Sequence, residues 1–208
     1  METPTEVLKY FISMLSILNP IAALPVFISF TMPYSDQELS KISNNCAFSV
    51  LVTLVIASVI GDNILSFFGI QLPSFQVAGG VIIGLTAFSM IRAENSPSKI
   101  TQDEIDRQSK IREIGIVPLA IPMLAGPGAI TTAIIQSYQF KTPQDWFSAL
   151  ICLIILSLII KLIFTFSRKI RDIVGRVSLN VLTRIIGLIL MAISVEYISQ
   201  GIKGLFDL

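Results

Sequence analysis

Six stretches of the chain are apolar over the length of a membrane crossing, and this limits its folds more than any other feature. They run from about Thr5 to Met32, Ile42 to about Phe68, Leu72 to Ile91, Ile114 to about Phe140, Trp146 to Ser167, and about Asn180 to Ile202. About 20 apolar residues cross the roughly 30 Å hydrocarbon core as a helix. Lipid offers a bare backbone no hydrogen-bond partner, and the alternation of barrel strands is absent, so each stretch is expected to be helical. Composition agrees: of 208 residues 53% are hydrophobic, 14% are charged and none is histidine, which is too apolar for a soluble domain of this length. The expected class is an all-α integral membrane protein.

Several function classes are excluded by the same composition. A net charge of +1 with no basic face or tail argues against a nucleic-acid partner. Cys46 and Cys152 both fall in apolar stretches without the paired spacing of a zinc or redox site, so they read as packing residues. Without histidine, clustered carboxylates or a nucleotide-binding loop, no enzyme, metal or cofactor is expected. The first ten residues, METPTEVLKY, carry two Glu and one Lys rather than a basic leader, so the first span is expected to be retained.

Orientation follows from the basic residues. With six crossings, the side of the N-terminus holds only Lys9, Lys141 and Lys203. The other side holds Lys41, then Arg92, Lys99, Arg107, Lys110 and Arg112, then Arg168, Lys169, Arg171 and Arg176. The positive-inside rule puts both termini outside, in the periplasm of a bacterial inner membrane, and the polar segment 92–113 in the cytoplasm.

The two halves, 1–91 and 114–208, repeat at a constant offset of 107 residues around the linker 92–113. Pro20 pairs with Pro127, Ala22 with Ala129, Ile28 with Ile135, Gln37 with Gln144, Leu72 with Leu179, Gly80 with Gly187, Ile82 with Ile189 and Ile91 with Ile198. The helix breakers carry the argument, since apolar identities are common between membrane segments. Three spans per half is an odd number, so the halves are expected to cross in opposite senses, as two inverted three-helix repeats about an axis in the membrane plane. That architecture is characteristic of transporters.

Spans one and four are expected to break near the midplane. A proline inside a helix lacks the N–H for the i−4 bond, so Pro20 frees the Ser16 carbonyl and Pro127 that of Met123. Asn19 followed by Pro20, and Gly126 followed by Pro127, then read as an N-cap and first residue of a new helix. Each break lies 12 to 14 residues into its span, roughly 20 Å deep at 1.5 Å per residue. The amides of Ile21 to Ala23 and of Gly128 to Ile130 are expected to lack intrahelical partners and to carry the positive helix end. Facing half-helix starts of this kind suit an anionic group such as a carboxylate. The small residues Ala22, Ala23, Gly126, Gly128 and Ala129 would admit a ligand to the backbone, and Thr131 and Thr132 would add hydroxyls.

The stretches LNPIAALPVF in the first span and AGPGAITTAI in the fourth resemble the paired signatures of the MarC family of bacterial inner-membrane proteins. The family includes small neutral amino acid transporters of the SnatA type. The resemblance covers essentially the whole chain, including RIIGLILMAISVEYISQGIKG as the last span. It implies transport of amino acids such as glycine and alanine, coupled to protons, with substrate held at Asn19, Pro20, Ile21 and Ala22 and at Gly126, Pro127, Gly128 and Ala129. Ala22 stands where many relatives have Gly, which bears on the size of substrate accepted.

Among intramembrane charges, functional suspects by default, Lys161 and Arg184 lie near span ends and can snorkel. Glu196, about two turns from the outer surface, is a candidate proton or ammonium site. The Gly80 and Gly84 pair and the matching Gly187 suggest that spans three and six cross closely. A channel or an exporter for another small solute is the main competing function, and a membrane protein without transport activity the third. The partners expected are a small-molecule substrate and the bilayer; oligomeric state is not set by any of these features.

Overall fold

The computed structural model describes residues 4–92, 120 and 124–206. Those residues form seven helices and no strand: α1 (Pro4–Leu18), α2 (Pro20–Thr31), α3 (Asp36–Phe67), α4 (Leu72–Ile91), α5 (Pro127–Ser137), α6 (Pro143–Thr165) and α7 (Ser167–Phe206). Five segments are long and apolar enough to cross a membrane: Thr5–Leu24, Asp36–Phe67, Leu72–Ile91, Pro143–Thr165 and Val181–Phe206. The linker beyond Arg92, and the opening of the expected fourth span apart from Ala120, lie outside the described residues.

Helix starts are written in local chemistry. Proline stands at the first or second position of α2, α4, α5 and α6, where its missing N–H costs no bond. Ser35 caps α3 by accepting from the Glu38 amide at 3.4 Å, while Glu38 Oε2 accepts from the Ser35 amide at 2.8 Å. Thr142 and Asp145 repeat this box at the start of α6, at 3.2 and 2.9 Å. At its far end α3 stops at Gly69, whose φ of 65° allows the Ile70 amide to reach back to the Leu65 carbonyl at 2.9 Å.

The sixth span, expected from about Asn180, opens at Val181. Its helix starts earlier: α7 begins at Ser167 and runs 40 residues without interruption. The segment RKIRDIVGRV holds no proline and spaces Ile170, Ile173, Val174 and Val177 at helical intervals, so nothing in it stops a helix.

Glycines set how the helices meet. A methyl added to Gly80 would lie 2.9 Å from the Ser194 carbonyl and 2.7 Å from Ile198; one added to Gly187 would lie 3.2 Å from the Ala87 carbonyl and 3.1 Å from Ile91. Early α4 therefore meets late α7 and late α4 meets the middle of α7, so the two run antiparallel in close contact, as the glycine pattern predicts. The Ser194 hydroxyl donates to the Gly80 carbonyl at 2.7 Å across this seam. α3 and α6 are antiparallel too: Ser157 Oγ reaches the Ala47 carbonyl at 2.9 Å, and Arg168, just past α6, reaches Asp36 at the start of α3. Phe27 of α2 stacks on Phe164 of α6 with ring centroids 4.0 Å apart.

Contacts also define the two ends of the bundle. One end gathers the α2–α3 turn and the α6–α7 junction, joined through Arg168. The other gathers the start of α1 on the end of α5, through Tyr10 and Phe140, and the start of α4 on the end of α7, through Pro73 and Gly201. Large apolar side chains such as Ile56, Leu85, Leu158 and Leu188 face outward, as lipid-facing positions do.

Candidate functional site

Both breaks form where the sequence places them. α1 ends at Leu18, and the Asn19 amide still completes its ladder with a 3.0 Å bond to the Leu15 carbonyl. Asn19 then adopts φ 39° and ψ 63°, a left-handed conformation that asparagine tolerates better than most residues, and α2 starts at Pro20. The second break is built differently. The Ala125 amide bonds the Ala120 carbonyl five residues back at 2.8 Å, a widened turn, and Gly126 follows in an extended conformation before Pro127.

The free donors are fewer than six, and this corrects the expectation. The fourth amide of a helix always meets the cap carbonyl, and so Ala23 bonds Asn19 O at 3.3 Å and Ile130 bonds Gly126 O at 3.0 Å. The Ala22 amide is taken by Asn19 Oδ1 at 3.2 Å. Among the described residues, acceptors are then missing for Ile21 at the first break and for Gly128 and Ala129 at the second. The first half-helix is closed by its own asparagine. The second, capped by a glycine with no side chain, stays open.

The two breaks lie side by side. A methyl on Gly128 would sit 3.9 Å from Ile17, two residues before Asn19, and 3.3 Å from Ile83 of α4. Asn19 Nδ2 points to Met90 Sδ at 3.7 Å, a weak acceptor at the far end of the same α4. Ala22 packs towards the cluster of α4 and α7, whereas Ala23 and Ala129 are buried in the larger core around α1, α3 and α6. Pro20 is buried and Pro127 is exposed.

The two threonines divide their roles. The Thr131 methyl fills the notch left by Gly79, which leaves no room there for a Cβ. Thr132 Oγ1 donates to the Gly128 carbonyl at 2.9 Å. Glu196 is exposed and accepts from Gln200 at 2.7 Å, and it is its neighbour Tyr197 that turns inward to meet Gln136 of α5 at 3.2 Å. Sequence reasoning missed Tyr197 and Gln136, whose only signal is the i, i+4 stripe Gly128, Thr132, Gln136 running out from the second break. It also missed Arg168, counted only as a charge: the guanidinium binds the Thr31 carbonyl at 3.0 Å and the Tyr34 carbonyl, fixing the end of α2.

A family model described as MarC family integral membrane protein matches residues 5–206. The chain belongs to the MarC family. Similar proteins include a UPF0056 membrane protein of Buchnera aphidicola from Acyrthosiphon pisum, 37% identical over 96% of this chain and 93% of the relative. The UPF0056 membrane protein YhcE of Escherichia coli is 34% identical over 95% and 92%. One from Methanocaldococcus jannaschii is 37% identical over 95% and 98%. MarC relatives thus extend from bacteria to archaea at nearly full length. No solved structure matches the chain significantly. Family membership and the apolar helices make this a multi-pass integral membrane protein.

Proposed function

We propose that the protein is a secondary transporter of small neutral amino acids of the glycine and alanine class, with the substrate carboxylate held by the half-helix starts at Asn19 and Gly126. The observation that carries this reading is the open second break: the Gly128 and Ala129 amides stand at the positive end of α5, and Gly128 lies beside Ile17 in the last turn of α1. A carboxylate is the group such donors hold best, and the two neighbouring glycines let it approach the backbone.

Six spans in two inverted repeats suit the same reading. The cap boxes at Ser35–Glu38 and Thr142–Asp145, the breaks at Pro20 and Pro127, and the seam glycines Gly80 and Gly187 all stand 107 residues apart. The seam contacts obey the offset as well, Gly80 meeting Ser194 and Ile198 where Gly187 meets Ala87 and Ile91. Each half packs its second and third helices antiparallel to their counterparts, as inversion requires. Arg92 ends α4 at the Arg168 end of the bundle while α5 ends opposite, beside Tyr10, the placement an inverted second half calls for. In a bacterial inner membrane the Arg168 end faces the cytoplasm and both termini face out. Proton coupling completes the proposal. Glu196, turned outward, is better placed to meet the outer water than the breaks.

Uptake of labelled glycine and alanine into reconstituted vesicles, with and without a pH gradient, tests the proposal. Saturable uptake accelerated by unlabelled substrate inside supports a transporter, and non-saturating flux supports a channel. Absence of any glycine or alanine flux overturns the assignment. Gly128→Val, whose side chain would run into Ile83, is expected to abolish uptake at unchanged expression.

A further inference from the structure

We propose that Tyr10 and Tyr197 form a gate and polar relay on the path between the second break and the end of the bundle that carries the α3–α4 turn. This rests on the transport reading for its solute, but not for its geometry. Two observations converge on it.

A row of polar side chains leaves the second break along one stripe of α5. Gln136 Nε2 donates to the Tyr197 hydroxyl at 3.2 Å. The Tyr197 hydroxyl also lies beside the Thr132 side chain. Thr132 Oγ1 donates to the Gly128 carbonyl, which leaves its oxygen able to accept from a neighbouring O–H. The relay spans eight residues of α5, roughly 12 Å, and ends beside the two open amides.

Tyr10 stands beside this relay with its hydroxyl unused. The residue is 2% exposed, and its oxygen has no hydrogen-bond partner. It lies within electrostatic range of the Tyr197 hydroxyl and the Cys152 thiol, and its ring packs edge-on against Phe140 with centroids 5.8 Å apart. Thr165 and Ser167 also bury a hydroxyl without a partner, but a short side chain on a helix can turn to a carbonyl of its own preceding turn. A phenol holds its hydroxyl beyond reach of its own backbone. A donor kept buried and unpaired is costly, and a second arrangement in which it meets water or solute removes that cost. The structure is then the closed arrangement at this end.

The chemistry selects the traveller. Phenol, carboxamide and alcohol each donate and accept, and none carries charge, so the relay suits a solute that is neutral overall and offers both donors and acceptors, as a small zwitterion does. A net anion or cation would find no counter-charge here.

Native Cys152, 4% exposed, reports on the gate. In the full-length protein with Cys46→Ala, a membrane-impermeant thiol reagent is added from either face of sealed vesicles. Labelling is expected only from the face of the α3–α4 turn. Tyr10→Phe removes the hydroxyl while keeping the ring, which favours the closed state and should slow Cys152 labelling and solute flux by about tenfold. Tyr10→Ala opens a gap and should speed labelling by about as much. Opposite shifts establish the gate. Equal labelling from both faces, or Tyr10→Phe leaving labelling and flux unchanged, overturns it. Labelling needs no substrate, so a protein that moves no amino acid would defeat the transport reading while this result still decides the gate.

Discussion

Asn19 does three things at the first break, and each is separable by substitution. It adopts the left-handed conformation, supplies the carbonyl for Ala23, and closes the Ala22 amide with its side chain. Asn19→Ala loses the cap and adds strain at positive φ, for an expected loss of about 1 to 2 kcal/mol. A melt of the purified protein should show a midpoint lower by a few degrees. Asn19→Gly tolerates the conformation and should recover part of that loss. At Arg168 the magnitudes favour the carbonyls over the ion pair. Asp36 is 88% exposed, so the pair itself adds little, whereas two carbonyls at the end of α2 receive a charged donor. Asp36→Asn is expected to leave the melting midpoint within a degree or so, and Arg168→Met to lower stability by about 2 kcal/mol.

Helix ends and helix seams fail differently. The caps of α3 and α6 serve equivalent places, so Ser35→Ala and Thr142→Ala should each cost about 1 kcal/mol, and the double variant should cost their sum, because the boxes share no partner. Denaturation of the three variants checks the sum. The seam between α4 and α7 has no such tolerance. Gly80→Ala places a methyl against the backbone oxygen of Ser194 rather than a movable side chain, and about 1 to 3 kcal/mol should be lost. Gly69→Ala meets no neighbour but must hold a positive φ, so its smaller loss would arise in the turn alone.

Over the whole molecule, the contacts divide the turns between two ends. Ser35→Cys and Lys169→Cys should react with an impermeant thiol reagent from one face of the membrane, and Gln71→Cys from the other. Lys169→Cys reacting from the Gln71 face would refute the antiparallel packing of α3 with α6, and with it the inverted repeat.

Much of this architecture was legible in the sequence because lipid turns length and hydropathy into helices. The third span, Leu72 to Ile91, matches α4 to the residue, and Asn19-Pro20 and Gly126-Pro127 mark their breaks because a missing N–H is a covalent fact. The glycine pattern likewise announced that α4 and α7 would touch. Hydropathy marked where the last span begins but not where its helix begins, which is earlier, at Ser167. What the sequence could not decide was how the amides at the breaks are used. Only a cap side chain folded back through space closes Ala22, and only the packing of α7 beside α5 brings Tyr197 to Gln136, 61 residues away along the chain. Covalent geometry and solvent act residue by residue and can be read in order; hydrogen-bond partners between helices exist only once the helices have packed.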